Sequence, residues 1–369
     1  MKRLLPVCLV LFSVATKAQT ITTFDVPGGV NTQPMAISPS GQVTGVYGIP
    51  NTTKVRGFLR DSAGSIVTFD VAGMNTVPAG INAFGQITGI YTSNAADVAP
   101  FHSFLRQPNG TIVTFDAPDA WDTESTTINA SGEIAGWMQS NSNDFRAFLR
   151  KPDGTITTFD VNGAFAILTS ALNAQGQVIG YWTDASASRG RGFLRGPDGT
   201  ITNIDVPAAF TTDTWPYAIN DKGQVAGYYS YQCPFPNPGT CTTAPHSFLR
   251  ETNGTYTNID VPNMTYSVAV ALDTKGQVAG YTYESTNQQM RGFLRRTDGS
   301  YLTFEAPGSN WTVPVAMSLT GEITGMYYDA TGGGHGFVLQ SGGESQAGNS
   351  NSLLHRPLPI IERGLGGKQ

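Results

Sequence analysis

The sequence predicts an all-β chain in which one four-stranded antiparallel unit is repeated seven times. Three observations carry that reading. First, a turn closing in glycine recurs at Gly41, Gly85, Gly132, Gly176, Gly223, Gly276 and Gly321, at intervals of 44, 47, 44, 47, 53 and 45 residues. Intervals of this length mark a repeat fold, not a string of separate domains. Second, each interval holds four short apolar runs bounded by Gly, Pro, Asn or Asp, without helical periodicity. Third, the strands do not divide evenly. Residues 20–26 form a strand with no unit before it, and the seventh unit stops at 336–340 without a fourth strand. Joining the two completes the last unit and predicts a seven-bladed β-propeller, its ring closed by the N-terminal strand. A ring also leaves no terminal blade exposed.

In chain order, residues 1–18 read as a signal peptide. Lys2 and Arg3 precede an apolar run from Leu4 to Val14, and small residues surround the junction before Gln19. The propeller is assigned to 19–340. The first strand of each unit runs small then large, as in Ala36-Ile37, Gly80-Ile81, Thr127-Ile128 and Ala171-Leu172. Small side chains suit the innermost strand, where blades converge. The second strand carries an interior glycine at Gly45, Gly89, Gly136, Gly180, Gly227, Gly280 and Gly325. Glycine weakens a strand, so its recurrence predicts a close backbone approach there.

The third and fourth strands form a hairpin, clearest at 146–160. Pro152 presets the first turn position, Asp153 suits the second, and Gly154 accepts the left-handed conformation that follows. That turn sets Arg150 opposite Ile156, Phe148 opposite Thr158 and Arg146 opposite Asp160. The same count pairs Arg56 with Asp70, His102 with Asp116, Arg191 with Asp205, His246 with Asp260, Arg291 with Glu305 and His335 with Asp25. Such pairs contribute about 0.2–1 kcal/mol each and specify register more than stability. From Ser341 the composition turns to Gly, Ser, Asn and Gln, and 341–369 is expected to be a disordered tail.

Removing the signal takes away Lys2, Arg3 and Lys17 and no acid, moving the formal net charge from -5 to -8. That acidity argues against nucleic-acid binding. No later segment has the roughly 20 apolar residues that span a bilayer. The mature chain is expected to be exported, extracellular or periplasmic, and monomeric. Its two remaining cysteines, Cys233 and Cys241, are expected to form a disulfide in an oxidising compartment, stabilising by about 2–3 kcal/mol.

The triplets His102-Ser103-Phe104, Arg146-Ala147-Phe148 and Arg191-Gly192-Phe193 stand beside Ile-Asn-x-x-Gly turns at 81–85 and 128–132. Together they resemble the bacterial extracellular repeat proteins of the HAF type, over residues 20–340. Here Arg-Gly mostly replaces His-Ala. The resemblance implies export and repetition and brings no reaction with it.

No Gly-x-Ser-x-Gly elbow, phosphate loop, zinc spacing or calcium loop occurs in the sequence. No catalytic residue, metal ligand or cofactor is therefore assigned. Residues shared by every unit are poor catalytic candidates, because a reaction needs a locally asymmetric site. The Asn, Asp or Ser opening each first turn (Asn82, Asn129, Asn173, Asn220, Asp273, Ser38, Ser318) is read as a turn former. The arginine closing each Phe-Leu-Arg is read as an inter-blade hydrogen-bonding group.

Candidate binding residues are those that differ between units. Trp121, Trp215, Trp311 and Tyr266 lie where one unit leads into the next, near Asp119, Asp122, Glu124 and Asp213. Second-strand ends add Tyr47, Tyr91, Trp137, Trp182, Tyr229, Tyr281 and Tyr327. Aromatic platforms beside carboxylates suit sugar rings, which present an apolar face and a hydroxyl edge; the alternative is that they fill gaps between blades. The leading expectation is a secreted non-catalytic protein that binds an extracellular glycan or protein through its variable loop face. The alternatives are a polysaccharide hydrolase or lyase using two loop acids, and a purely structural surface component.

Overall fold

The computed structural model describes residues 20–93, 99–184, 189–207, 211–231 and 244–340. Residues 1–18, the tail and both Cys233 and Cys241 lie outside them. Among the described residues every regular element is a β-strand. Five sheets have four antiparallel strands each, taken in chain order. A sixth has eight: the four strands of unit six, three of unit seven, and Thr20–Phe24. That first strand pairs antiparallel with Gly334–Gln340, from Thr20 opposite Gln340 to Phe24 opposite Gly336. Units six and seven join through a single parallel bridge between Met290 and Trp311.

The first strands of the units are Val30–Ile37, Asn75–Ile81, Ala120–Ile128, Ala164–Leu172, Thr211–Ile219, Tyr266–Leu272 and Ser309–Met317. Each lies against the first strand of the next unit, and Ser309–Met317 lies against Val30–Ile37. In every one the register with the second strand slips at the same place, opposite the strand glycine, for example between Ser125 and Thr127 or Pro216 and Ala218. The bulge bends the first strand toward its partner. It is met each time by the second-strand glycine: a Cβ on Gly136 would collide with the Glu124 carbonyl oxygen and lie 2.5 Å from the Phe148 ring. The close approach predicted from the glycines is thus within a blade, between its own first two strands.

The phenylalanine of each third strand (Phe58, Phe104, Phe148, Phe193, Phe248, Phe293, Phe337) is fully buried. In five units it meets a phenylalanine from the fourth strand of the preceding unit edge-on, while Phe248 and Phe293 share their clusters with Ile204 and Ile259 from the preceding units. Phe69 lies 6.2 Å from Phe104, Phe115 6.4 Å from Phe148 and Phe159 6.3 Å from Phe193. Phe24 takes the same position 5.9 Å from Phe58, so the N-terminal strand packs on unit one as the other fourth strands pack on their neighbours.

The hairpin register is as counted, with Arg150 opposite Ile156 and Phe148 opposite Thr158. Base–acid side-chain contacts join Arg56 to Asp70 (3.1 Å), His102 to Asp116 (2.9 Å), Arg191 to Asp205 (3.4 Å), His246 to Asp260 (2.8 Å), His335 to Asp25 (2.9 Å), and Arg291 to Glu305. At the seventh position Asp160 turns instead to the backbone N–H of Val161, 2.7 Å away. Burial raises its pKa against that hydrogen bond and the charge of Arg146.

Two expectations need correction. The arginines closing Phe-Leu-Arg do not hydrogen-bond across blades. Arg60 Nη1 donates to Asp61 O (3.2 Å) and Arg150 Nη1 to Lys151 O (3.3 Å), both within their own hairpins. What crosses to the neighbour is the guanidinium face, stacked over Phe24, Phe69, Phe115 and Phe159 by Arg60, Arg106, Arg150 and Arg195. A planar guanidinium can donate from its edge while its face rests on a ring.

The turn asparagines do more than form turns. Asn82 Oδ1 accepts from Gln86 N–H inside its own turn, while Nδ2 donates to Asn129 O in the next unit (3.1 Å). Asn129 donates likewise to Asn173 O, Asn173 to Asn220 O, and Asn220 to Asp273 O. Ser38, Asp273 and Ser318 have no amide to donate, and the relay stops at them.

Candidate functional site

Among the described residues, the entries to six of the first strands are shaped by a left-handed residue, at Gly28, Gly73, Asp119, Gly163, Asn263 and Gly308. These turns bring the starts of the first strands to one edge of the molecule. Trp121 (42% exposed), Phe165 (48%), Trp311 (46%) and Val30 (44%) lie there, four of the seven exposed large hydrophobics among the described residues. Trp121 and Phe165 sit on second bulges, between Ala120 and Asp122 and between Ala164 and Ala166. A bulged residue leaves the ladder and can be aimed outward. The edge is an aromatic rim.

The acids expected near this edge divide by role. Asp119 is itself a turn residue, with φ +61°. Asp122 Oδ1 accepts the Phe101 N–H (3.1 Å), and Asp213 accepts the Gly190 N–H and the Ser230 hydroxyl. Asn75 accepts the Val55 N–H (3.1 Å) and Asn31 the Gly334 N–H (3.3 Å) in the same manner. These side chains clasp the start of the preceding unit's third strand. Glu124 differs: it is buried, opposite Trp137, in the wall of a cleft.

That cleft lies among the first strands of units three, four and five. Its lining includes Glu124, Thr126, Trp137, Ser170, Tyr181 and Tyr217. Thr126, Ser170 and Tyr217 are the bulge residues of their strands, which explains why three units aim side chains at one place. Tyr217 stacks on Tyr228 (5.5 Å between ring centres), and Trp215 stacks on the same ring at 4.8 Å. Burial, then the neighbouring phenols, pushes Tyr217 and Tyr228 well above the ordinary phenol pKa. Burial raises Tyr281 to about 12. All three rings stay uncharged at neutral pH. An aromatic path leads outward from the cleft: Trp137 is 6.0 Å from Phe145, which is 6.4 Å from the exposed Phe165.

The four expected binding residues therefore separate. Trp121 and Trp311 stand exposed on the rim. Trp215 and Tyr266 are half-buried, Trp215 on Tyr228 and Tyr266 on Tyr283 at 5.3 Å. The second-strand aromatics separate too, because side chains alternate faces along a strand. Tyr91, Tyr229 and Tyr327 stack on His102, His246 and His335, and Arg191 lies over Trp182. These fill gaps within and between blades. Trp137 and Tyr281, one residue earlier in the repeat, share their position with Tyr181 and Tyr228. Tyr181, Tyr217 and Tyr228 were not among the expected residues. Their signal is positional: the residue directly after the strand glycine, or the bulge residue itself.

No protein-family model matches the chain, and no curated protein matches it. Among solved structures it is similar to virginiamycin B lyase from Staphylococcus aureus, at 12% identity over 88% of this chain and 100% of that one, with TM-score 0.50. It is also similar to the BP39L lectin from Burkholderia pseudomallei, at 9% identity over 85% and 98% of the two chains, with TM-score 0.53. The chain has a β-propeller-like fold. A third similar structure, puromycin hydrolase, agrees at 11% identity and TM-score 0.58; this chain spans 54% of its length. At such identities the propeller likeness is one of architecture alone.

Proposed function

We propose that this chain is a secreted, non-catalytic, closed seven-bladed propeller that binds an extracellular polysaccharide through its aromatic rim. Support for closure comes from the contacts of unit one. Its first strand touches those of units two and seven, Asn31 accepts the Gly334 N–H, and Arg60 stacks on Phe24. Glu322 also approaches the Gly41 turn as Gln42 approaches Gly85 and Gln86 approaches Gly132. Export through residues 1–18, a Cys233–Cys241 disulfide, a monomeric state and kinship with HAF-type proteins complete the reading.

The observation that carries the binding role is the exposure of Trp121, Phe165 and Trp311 on one edge. Large apolar side chains gathered on a surface mark an interaction site. Rings on units three, four and seven suit an extended polymer that reaches several platforms along the edge. The fold is compatible, since a lectin shares it. A hydrolytic role is disfavoured because Asp122 and Asp213 are engaged by backbone N–H groups as inter-unit clasps.

The test is affinity electrophoresis of the mature chain in gels holding a panel of polysaccharides. At about 0.5–1.5 kcal/mol per ring contact, Trp121→Ala with Phe165→Ala and Trp311→Ala is expected to weaken retention tenfold or more. Phe84→Ala, 69% exposed in a turn at the opposite end of the strands, is expected to leave it unchanged. Equal retention of the rim variant and the native chain, or no retention on any polysaccharide, overturns the reading.

A further inference from the structure

The inner cleft of units three to five has a chemistry of its own, separate from the rim. Trp137, Tyr181 and Tyr217 contribute three electron-rich rings, Glu124 a carboxyl group, and Thr126 and Ser170 two hydroxyls. The lining holds no Lys, Arg or His. The cavity volume is about 50 Å³, against roughly 10–15 Å³ for a single water. A compact branched head group suits this better than a whole sugar ring.

The geometry points to a binding site for an organic cation, one whose methylated ammonium head enters the cleft. Aromatic rings attract a cation through their quadrupoles, and the attraction grows when the ion is desolvated. A quaternary or methylated ammonium gives up its water more readily than a primary amine, and its methyl groups pack on ring faces. Glu124, 7% exposed, places a carboxyl group at the wall, an acceptor for a cation that enters. The neighbouring Tyr228 and Tyr281 hold their protons, so the aromatic layer adds no competing charge of its own at neutral pH. The acidic mature chain favours a cationic ligand at longer range as well.

The site is distinct from the proposed polysaccharide surface. Glu124 lies three residues along its strand from Trp121, about 10 Å at the usual strand rise. A ligand can therefore be lost from one site and kept at the other.

Isothermal titration of the mature chain with choline tests the inference, alongside 3,3-dimethylbutan-1-ol, which has the same shape without the charge. Choline is expected to bind, and the neutral analogue at least tenfold more weakly. Trp137→Leu keeps apolar bulk and removes the ring; Glu124→Gln removes the acid and keeps its shape. Each is expected to weaken choline about tenfold while thermal unfolding shows the variant folded. The rim triple variant is expected to bind choline as the native chain does. Equal binding of both probes would make the cleft a plain apolar cavity. Binding of neither, or loss of choline binding in the rim variant alone, would overturn the assignment outright. Should Trp137→Leu fail to fold, Tyr181→Leu and Glu124→Gln carry the same comparison.

Discussion

At Gly136 the hydrogen that stands in place of a side chain faces the Glu124 carbonyl oxygen and the Phe148 ring. A methyl group there has nowhere to go, since the bulge in the first strand and the buried phenylalanine of the third hold both sides. Gly136→Ala is expected to destabilise by about 1–3 kcal/mol, the usual cost of overpacking, read as a lower urea midpoint. Asn173 makes a second residue-level test. Asn173→Asp keeps the acceptor that closes its own turn and loses the donor to Asn220 O and Gln177 Oε1. A loss of about 1–3 kcal/mol is expected, because the Asn220 carbonyl keeps only the Gly223 N–H and a carboxyl oxygen is set against it in place of a donor. The turn role of Asn173 is legible in the sequence, since its partners lie within four residues. Its tie to Asn220 is not, because that partner is 47 residues away and only the packing of units brings it close.

At the scale of elements, the hairpins connect turn chemistry to register and register to charge pairing. His335 sits where the last hairpin meets the first strand of the chain, with Nδ1 on Asp25 (2.9 Å) and Nε2 on Asp329 (3.2 Å). Burial alone lowers its pKa, but hydrogen bonds to the two carboxylates outweigh burial and leave it raised above 6.5. The folded state therefore holds the proton more tightly than the unfolded chain. Stability from this clasp is full below about pH 6.5 and is lost as pH rises through the folded value. Thermal unfolding of the native chain is expected to fall by more than that of His335→Gln between pH 6 and pH 8.5; parallel curves would contradict this. The seven base–acid positions were legible because a hairpin with a known turn fixes every opposite pair. The second-strand aromatics are less legible, because in the sequence they look like a single set at strand ends. A one-residue offset puts Tyr91 and Tyr229 on one face of the sheet and Trp137, Tyr181 and Tyr228 on the other.

At the scale of the molecule, both the rim and the cleft depend on first strands meeting side by side. Thr126, Ser170 and Tyr217 reach one space only because three units converge, and Trp311 shares an edge with Trp121 only if unit seven returns to unit one. The pairing of Thr20–Phe24 with Gly334–Gln340 is legible by simple counting of hairpin arms. The cleft stays hidden, because the side chains that build it are 44 to 47 residues apart and differ from unit to unit. The most direct test of the ring is a cross-link at its seam. Thr20 and Gln340 are both exposed and face each other across the pairing, within the reach of a disulfide for opposite strand residues. Thr20→Cys with Gln340→Cys, in a chain carrying Cys233→Ser and Cys241→Ser, is expected to form that disulfide under mild oxidation and to raise the unfolding temperature. Two thiols that stay free in the folded protein would contradict closure, and with it the shared edge on which the binding surface rests.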